Sequence, residues 1–128
     1  METRTDRKYA KTDEWVKVEG AKGTIGISDY AQDQLSDIVY VEFTKEPGDH
    51  VKQGEIFATI ESVKAAADMN APVSGIVKEI NESLMDTPEL INSDPYDSAW
   101  MGIIELENDS ELNDLMNAGD YDAYCESR

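Results

Sequence analysis

Two stretches of this sequence recur in altered form, and the recurrence constrains the fold more than any other feature. Ser36-Asp-Ile-Val-Tyr-Val-Glu42 is echoed 38 residues later by Ser74-Gly-Ile-Val-Lys-Glu-Ile80. At a larger offset, Glu55-Ile-Phe-Ala-Thr-Ile-Glu61 is echoed by Trp100-Met-Gly-Ile-Ile-Glu-Leu106. Their β-branched and aromatic residues read as strands. Each block is a strand-turn-strand unit that cannot bury its apolar face alone. The pattern therefore predicts a mainly β chain, two small antiparallel sheets packed face to face with an internal pseudo-twofold repeat, as a flattened sandwich or barrel. The second block carries an insertion, placed in the Pro/Asn/Asp-rich stretch from Met85 to Ser98.

The flanks add smaller elements. Glu14–Glu19 and Thr24–Ser28 read as a hairpin around Gly20–Gly23. Ser28 or Asp29 then caps a short helix through Leu35, with Asp29 and Gln32 at capping-box spacing. Near the other end, Asn108 and Glu111 repeat that spacing, and Leu112, Leu115 and Met116 mark one helical face before Gly119 closes it. The expected layout is one domain over 1–128: hairpin and helix 14–35, core repeat 36–107, C-terminal helical segment 108–125. A length of 128 residues fits one modest core, and no low-complexity linker interrupts it.

Charge then narrows the function. With 28 acidic against 11 basic side chains the net charge is −17, a field that repels phosphate and anionic lipid and so argues against nucleic-acid or membrane-surface binding. Docking to basic rims on partner proteins, slowed by salt, is the better expectation. His50 is the only imidazole, which excludes a two-His metal site, and Cys125 alone closes no internal disulfide. His50 and Cys125 are read as surface or packing residues. The charged N-terminus has no signal-peptide pattern, and no apolar run approaches the roughly 20 residues of a membrane span. A soluble, cytoplasmic protein is expected.

One position breaks a local rule. If the blocks are strands, Val63-Lys64 falls at a hairpin tip, where Asn-Gly or Asp-Gly is usual because the favoured turns need a positive φ that a β-branched residue resists. Most loop lysines are merely solvated. Here, however, Ala65–Ala67 leave the amine unshielded, Glu61 precedes it by three residues, and Gly75 follows eleven residues later at the start of the echoed strand. An amine held out at a rigid tip is what an acylating enzyme needs.

The segments Asp13-Glu-Trp-Val-Lys-Val-Glu-Gly20, Thr24-Ile-Gly-Ile-Ser-Asp-Tyr-Ala-Gln32, Glu61-Ser-Val-Lys-Ala65, Ala71-Pro-Val-Ser-Gly75 and Pro88-Glu-Leu-Ile-Asn-Ser-Asp-Pro-Tyr96 together resemble the H proteins of the glycine cleavage system, in order, from about Tyr9 to Tyr124. The resemblance implies a barrel-sandwich hybrid that carries lipoate in amide linkage on Lys64, with Glu61 and Gly75 helping a lipoylating enzyme recognise the tip. It further implies a non-catalytic carrier shared by three enzymes. The pyridoxal-phosphate glycine decarboxylase loads an aminomethyl group, the tetrahydrofolate-dependent aminomethyltransferase unloads it, and dihydrolipoyl dehydrogenase reoxidises the dithiol. Asp13 and Tyr30 stand where the family often has His, and Ser36 where Gly is common.

Chemistry adds one demand. A cargo with a free amine on a thioether carbon decomposes in water, so the loaded arm needs a sheltering cleft and a carboxylate for its ammonium. Glu14 is the first candidate and Asp68 the second, each weighed against a plain solvated acid; Trp15 and Trp100 are assigned to the core. Rival carriers fit less well: a biotin domain flanks its lysine with Met, where Val63 and Ala65 stand here, and a 2-oxo acid dehydrogenase lipoyl domain places Asp before it and adds a linker. A lipoyl-relay donor to other enzymes would need only the same arm. From another class, a small acidic enzyme or cation-binding protein would rest on Asp94-Pro-Tyr-Asp97 and Asn108-Asp-Ser-Glu111, which lack the periodicity of a calcium loop.

Overall fold

A computed structural model describes all residues, 1–128. In chain order the elements are β1 (Lys8–Tyr9), β2 (Glu14–Glu19), β3 (Lys22–Ile27), α1 (Asp29–Leu35), β4 (Ile38–Phe43), β5 (His50–Val51), β6 (Ile56–Ser62), β7 (Ala66–Asn70), β8 (Gly75–Ile80), α2 (Ser83–Asp86), α3 (Leu90–Ser93), β9 (Gly102–Leu106), a 3-10 turn (Asp109–Asp114) and α4 (Ala118–Glu126). They form a six-stranded sheet of order β1-β2-β3-β9-β8-β5 and a three-stranded sheet of order β4-β6-β7.

The repeat survives as predicted. β4 pairs antiparallel with β6, and their echoes β8 and β9 pair antiparallel in the opposite sheet. The blocks also trade a strand. β5, from the first block, joins β8 through His50↔Ile76 and Val51↔Gly75, so the chain between β4 and β6 crosses to the other layer. This exchange interlocks the layers into a barrel-sandwich hybrid. Val41, Phe57, Ile60, Met69, Val77 and Ile104 are buried between them. Each such side chain contributes roughly 1.5–3 kcal/mol by leaving water.

Several boundaries differ from expectation. Glu19 already pairs with Lys22, so the first hairpin turns on Gly20-Ala21, with Gly20 at φ +64°. Ser28, rather than Asp29, caps α1: its Oγ accepts from the Ala31 N–H at 3.1 Å, while the Gln32 amide binds Asp29. The insertion holds two four-residue helices, α2 and α3, whose Leu84 and Ile91 plug the core. The C-terminal segment is not one helix ended by Gly119. Asn108 caps only the 3-10 turn, and the chain then extends so that Met116 exchanges two 2.8 Å backbone hydrogen bonds with Tyr9. Asn117 caps α4, with Gly119 inside its first turn. Closing the sheet edge at Tyr9 outweighs continuation of a marginal acidic helix.

A second buried cluster joins the two chain ends to the β scaffold. Tyr9 stacks on Tyr121 with centroids 4.5 Å apart, and Trp15, Tyr96, Ala118 and Cys125 complete it. The Trp15 indole donates to the Ile27 carbonyl at 2.9 Å, and the Arg7 guanidinium lies 4.6 Å over its ring. Cys125 is therefore a packing residue, Trp100 is partly buried against this cluster, and His50 is exposed beside Glu107. No helix is long and apolar enough to cross a membrane.

Candidate functional site

Lys64 occupies the reversal between β6 and β7, so the tip belongs to the three-stranded sheet and does not join the first block directly to the second. Neither Val63 nor Lys64 has a positive φ. Ser62 replaces the usual turn chemistry: its N–H donates to the Ala65 carbonyl at 2.8 Å, and its Oγ accepts from the N–H groups of Lys64 (3.3 Å) and Ala65 (3.1 Å). A hydroxyl that binds amides two and three residues onward is a side-chain mimic of a backbone turn. The Val63 N–H donates to the Asp37 carbonyl at 3.0 Å, pinning the tip to the chain entering β4. That entry is itself held by Asn92, whose Oδ1 accepts from Ile38 N–H and whose amide donates to the Ser36 carbonyl. The apex is thus stiff while its side chains are free: Val63 is 66% exposed, and Lys64 is exposed and makes no ion pair.

Glu61 is exposed on β6, opposite Tyr40 on one side and Ala66 on the other. Gly75 is elsewhere. It lies buried in β8, and a Cβ there would sit 1.9 Å from the Glu105 carbonyl oxygen, so the close approach of β9 requires glycine. The structure does not bring Gly75 to the Lys64 tip.

Beneath the tip, between α1 and the start of β2, lies a cleft of about 310 Å³. Ile27, Leu35, Ile60 and Ala67 give it apolar walls, and Glu14 and Asp68 both line it. The two candidate acids therefore share one site in contrasting settings. Asp68 is exposed at the rim. Glu14 is 1% exposed; its Oε2 accepts from the Asn70 N–H at 3.0 Å and its Oε1 from the Thr12 hydroxyl. Burial pushes its carboxyl up to about 7, against these two hydrogen bonds, which favour the ionised form. Near neutrality Glu14 is thus poised, and a cation entering the cleft would draw it to the carboxylate.

Sequence reasoning missed several parts of this arrangement. Thr12 and Ser62 were legible in principle, as hydroxyls two residues from the groups they serve. Asp13, read from sequence only as a departure from the family's usual His, also lines the cleft with Arg128, and their contact was not legible. No group of three or more His, Cys, Asp or Glu side chains is arranged to hold a metal ion.

With this geometry in view, comparison with known proteins is decisive. The family model of the glycine cleavage H-protein matches residues 7–128. The chain belongs to the glycine cleavage H-protein family. Among its relatives, glycine cleavage system H protein 2, mitochondrial, of Arabidopsis thaliana is 49% identical over 94% of this chain and 77% of that protein. The H protein of Thermotoga maritima is 49% identical over 93% of this chain and 95% of its own length. The crystal structure of an H protein from Mycobacterium marinum matches with a TM-score of 0.85 and 31% identity, covering 94% of this chain and 97% of that one. The barrel-sandwich architecture is accordingly that of an H protein.

Proposed function

We propose that this chain is the lipoyl-lysine carrier of a glycine cleavage system, with lipoate in amide linkage on Lys64. The observation that carries the reading is the pairing of a stiff, exposed, unpaired lysine apex with a carboxylate-floored cleft that the same hairpin helps to line through Ile60, Ala67 and Asp68. Lys64 would hold the lipoate, whose dithiolane would supply an acceptor for the aminomethyl group of glycine, for delivery to the aminomethyltransferase and reoxidation by dihydrolipoyl dehydrogenase.

The residues present fit such a group. Acylation removes the lysine charge, so an arm lying over Ile60 and Ala67 buries no cation of its own. About eleven bonds separate the lysine Cα from a lipoyl ring; at the extended-chain rate of about 3.4 Å for every three bonds they reach about 12 Å. Ala67 and Asp68 lie three and four residues along β7 from Lys64, roughly 10–13 Å at strand spacing. The arm is long enough to fold back into the cleft or to swing away. Folded back, the arm would bring its cargo's ammonium toward Glu14 at the floor and Asp68 at the rim, the two carboxylates that would hold it. Extended, the arm is free to enter a partner's pocket.

Glu61 offers a lipoylating enzyme a carboxylate beside the target amine. Gly75 acts at one remove, by holding β8 against β9. The lipoylated chain should gain one aminomethyl group when incubated with glycine and the decarboxylase, and a Lys64→Arg chain none, as read by intact mass. Cargo uptake by the Lys64→Arg chain would overturn the assignment.

A further inference from the structure

One wall of the cleft is made by a contact that spans almost the whole sequence. Asp13 is held at φ +80°, which turns its carboxylate toward α4. Its Oδ1 accepts from the Tyr121 hydroxyl at 2.7 Å; burial pushes that phenol's pKa up, so it stays a donor, and Ser28 Oγ–H completes the chain to it. The Arg128 guanidinium forks onto the same carboxylate, Nη1 to Oδ1 at 2.5 Å and Nη2 to Oδ2 at 3.0 Å. Its Cζ lies 4.3 Å from the centroid of the Tyr30 ring and 4.8 Å from that of the Tyr124 ring. Asp13, Tyr30 and Arg128 all line the cleft that Glu14 floors.

We propose that Arg128 is the latch of this cleft: forked onto Asp13 between two tyrosines, it closes the wall through which water would reach a cationic cargo at Glu14, and it keeps Asp13 from competing for that cargo. The inference rests on the carrier reading above. Three features support a latch over a fixed brace. The side chains of the pair remain 28% and 15% exposed and belong to neither buried cluster, so the contact lies at the surface of the wall rather than in the core. Guanidinium and carboxylate cancel, which leaves Glu14 and Asp68 as the carboxylates free to meet an ammonium. The residue reaches the site from the far end of α4, so its removal leaves both sheets intact.

The test uses Arg128→Ala and Asp13→Asn, since asparagine tolerates the positive φ and still accepts from Tyr121. Two readouts are taken. In the chain without lipoate, hydrogen exchange at the Asn70 amide, which binds Glu14, should quicken about five-fold, the ratio that about 1 kcal/mol of lost latch produces, while exchange at Ile60 in the core is unchanged. In the loaded carrier, the aminomethyl group should be lost faster by a similar factor in both variants. Raised salt should bring the parent chain toward them, and Arg128→Lys should recover part of the lifetime. Unchanged Asn70 exchange and unchanged lifetime overturn the latch. Acceleration at Asn70 and Ile60 together also overturns it, as general destabilisation. If Glu14→Gln shortens the cargo lifetime and Arg128→Ala does not, the latch alone is wrong; if neither does, the arm does not rest in this cleft and the carrier reading loses its support there.

Discussion

Glu14→Gln should convert a pH-dependent stability into a flatter one. The amide is isosteric, and its carbonyl still accepts from the Asn70 N–H. What it removes is ionisation. Burial raises the Glu14 carboxyl from 4.5 to about 7, so between those values the folded chain keeps a proton that the unfolded chain has lost. The sign follows from that difference: stabilisation by the protonated form is complete below 4.5 and is lost as pH rises through 7. Integrated from pH 5 to pH 8, the parent chain should lose about 2.5 kcal/mol relative to the glutamine chain. Urea denaturation at several pH values reads this directly. With a slope of about 1–3 kcal/mol per molar, the two midpoints should separate by roughly 0.8–2.5 M across the range. His50 and the other acids are common to both chains and cancel in the comparison. Parallel stability curves would refute the reasoning, because they would mean that Glu14 ionises in the fold as it does in water.

Three further outcomes follow from the same structure. Cargo retention should improve as pH rises toward neutrality, because Glu14, whose carboxyl pKa burial raises and the cargo's ammonium lowers, must be ionised to hold that ammonium; a lifetime that shortens over this range in the parent but not in Glu14→Gln would contradict it. Ser36 sits at φ +66°, ψ −152°, a region only glycine occupies without strain, so Ser36→Gly should stabilise by about 1 kcal/mol in the same urea assay, and a loss would show that its surroundings demand the side chain. Gly75→Ala should cost about 3 kcal/mol, since the Glu105 carbonyl is backbone and cannot move aside; near-neutral behaviour would show that β8 and β9 can separate cheaply.

How much was legible in the sequence depended on how local each signal was. β4, β6, β8 and β9 announced themselves because their β-branched and aromatic residues recur in echoed blocks, and Ile38, Val41, Ile60, Val77 and Ile104 from them enter one core. β5 has two residues and β7 is alanine-rich, so neither carries a strand pattern of its own, and both the layer exchange made by β5 and the pairing of β7 with β6 were hidden. α2 and α3 are single turns held by tertiary burial of Leu84 and Ile91 rather than by propensity. In the site, Lys64 stood out because Val63-Lys64 is poor turn chemistry, and Ser62 explains how the turn forms anyway. Glu14 could be named because a cationic cargo needs a carboxylate and Glu14 lies in the stretch that resembles the family's Glu-Trp motif, but its burial could not, because its partner Asn70 is 56 residues away. The Asp13–Arg128 contact joins residues 115 apart and leaves no sequence pattern to read.

The central claim is that a single amine, held at the apex of a rigid β scaffold, receives the lipoyl group. Co-expression with a lipoylating enzyme and lipoate, followed by intact mass measurement, tests it most directly. The parent chain should carry one lipoyl group and Lys64→Ala none. A lipoyl group that persists on Lys64→Ala, or biotin accepted in place of lipoate, would contradict it.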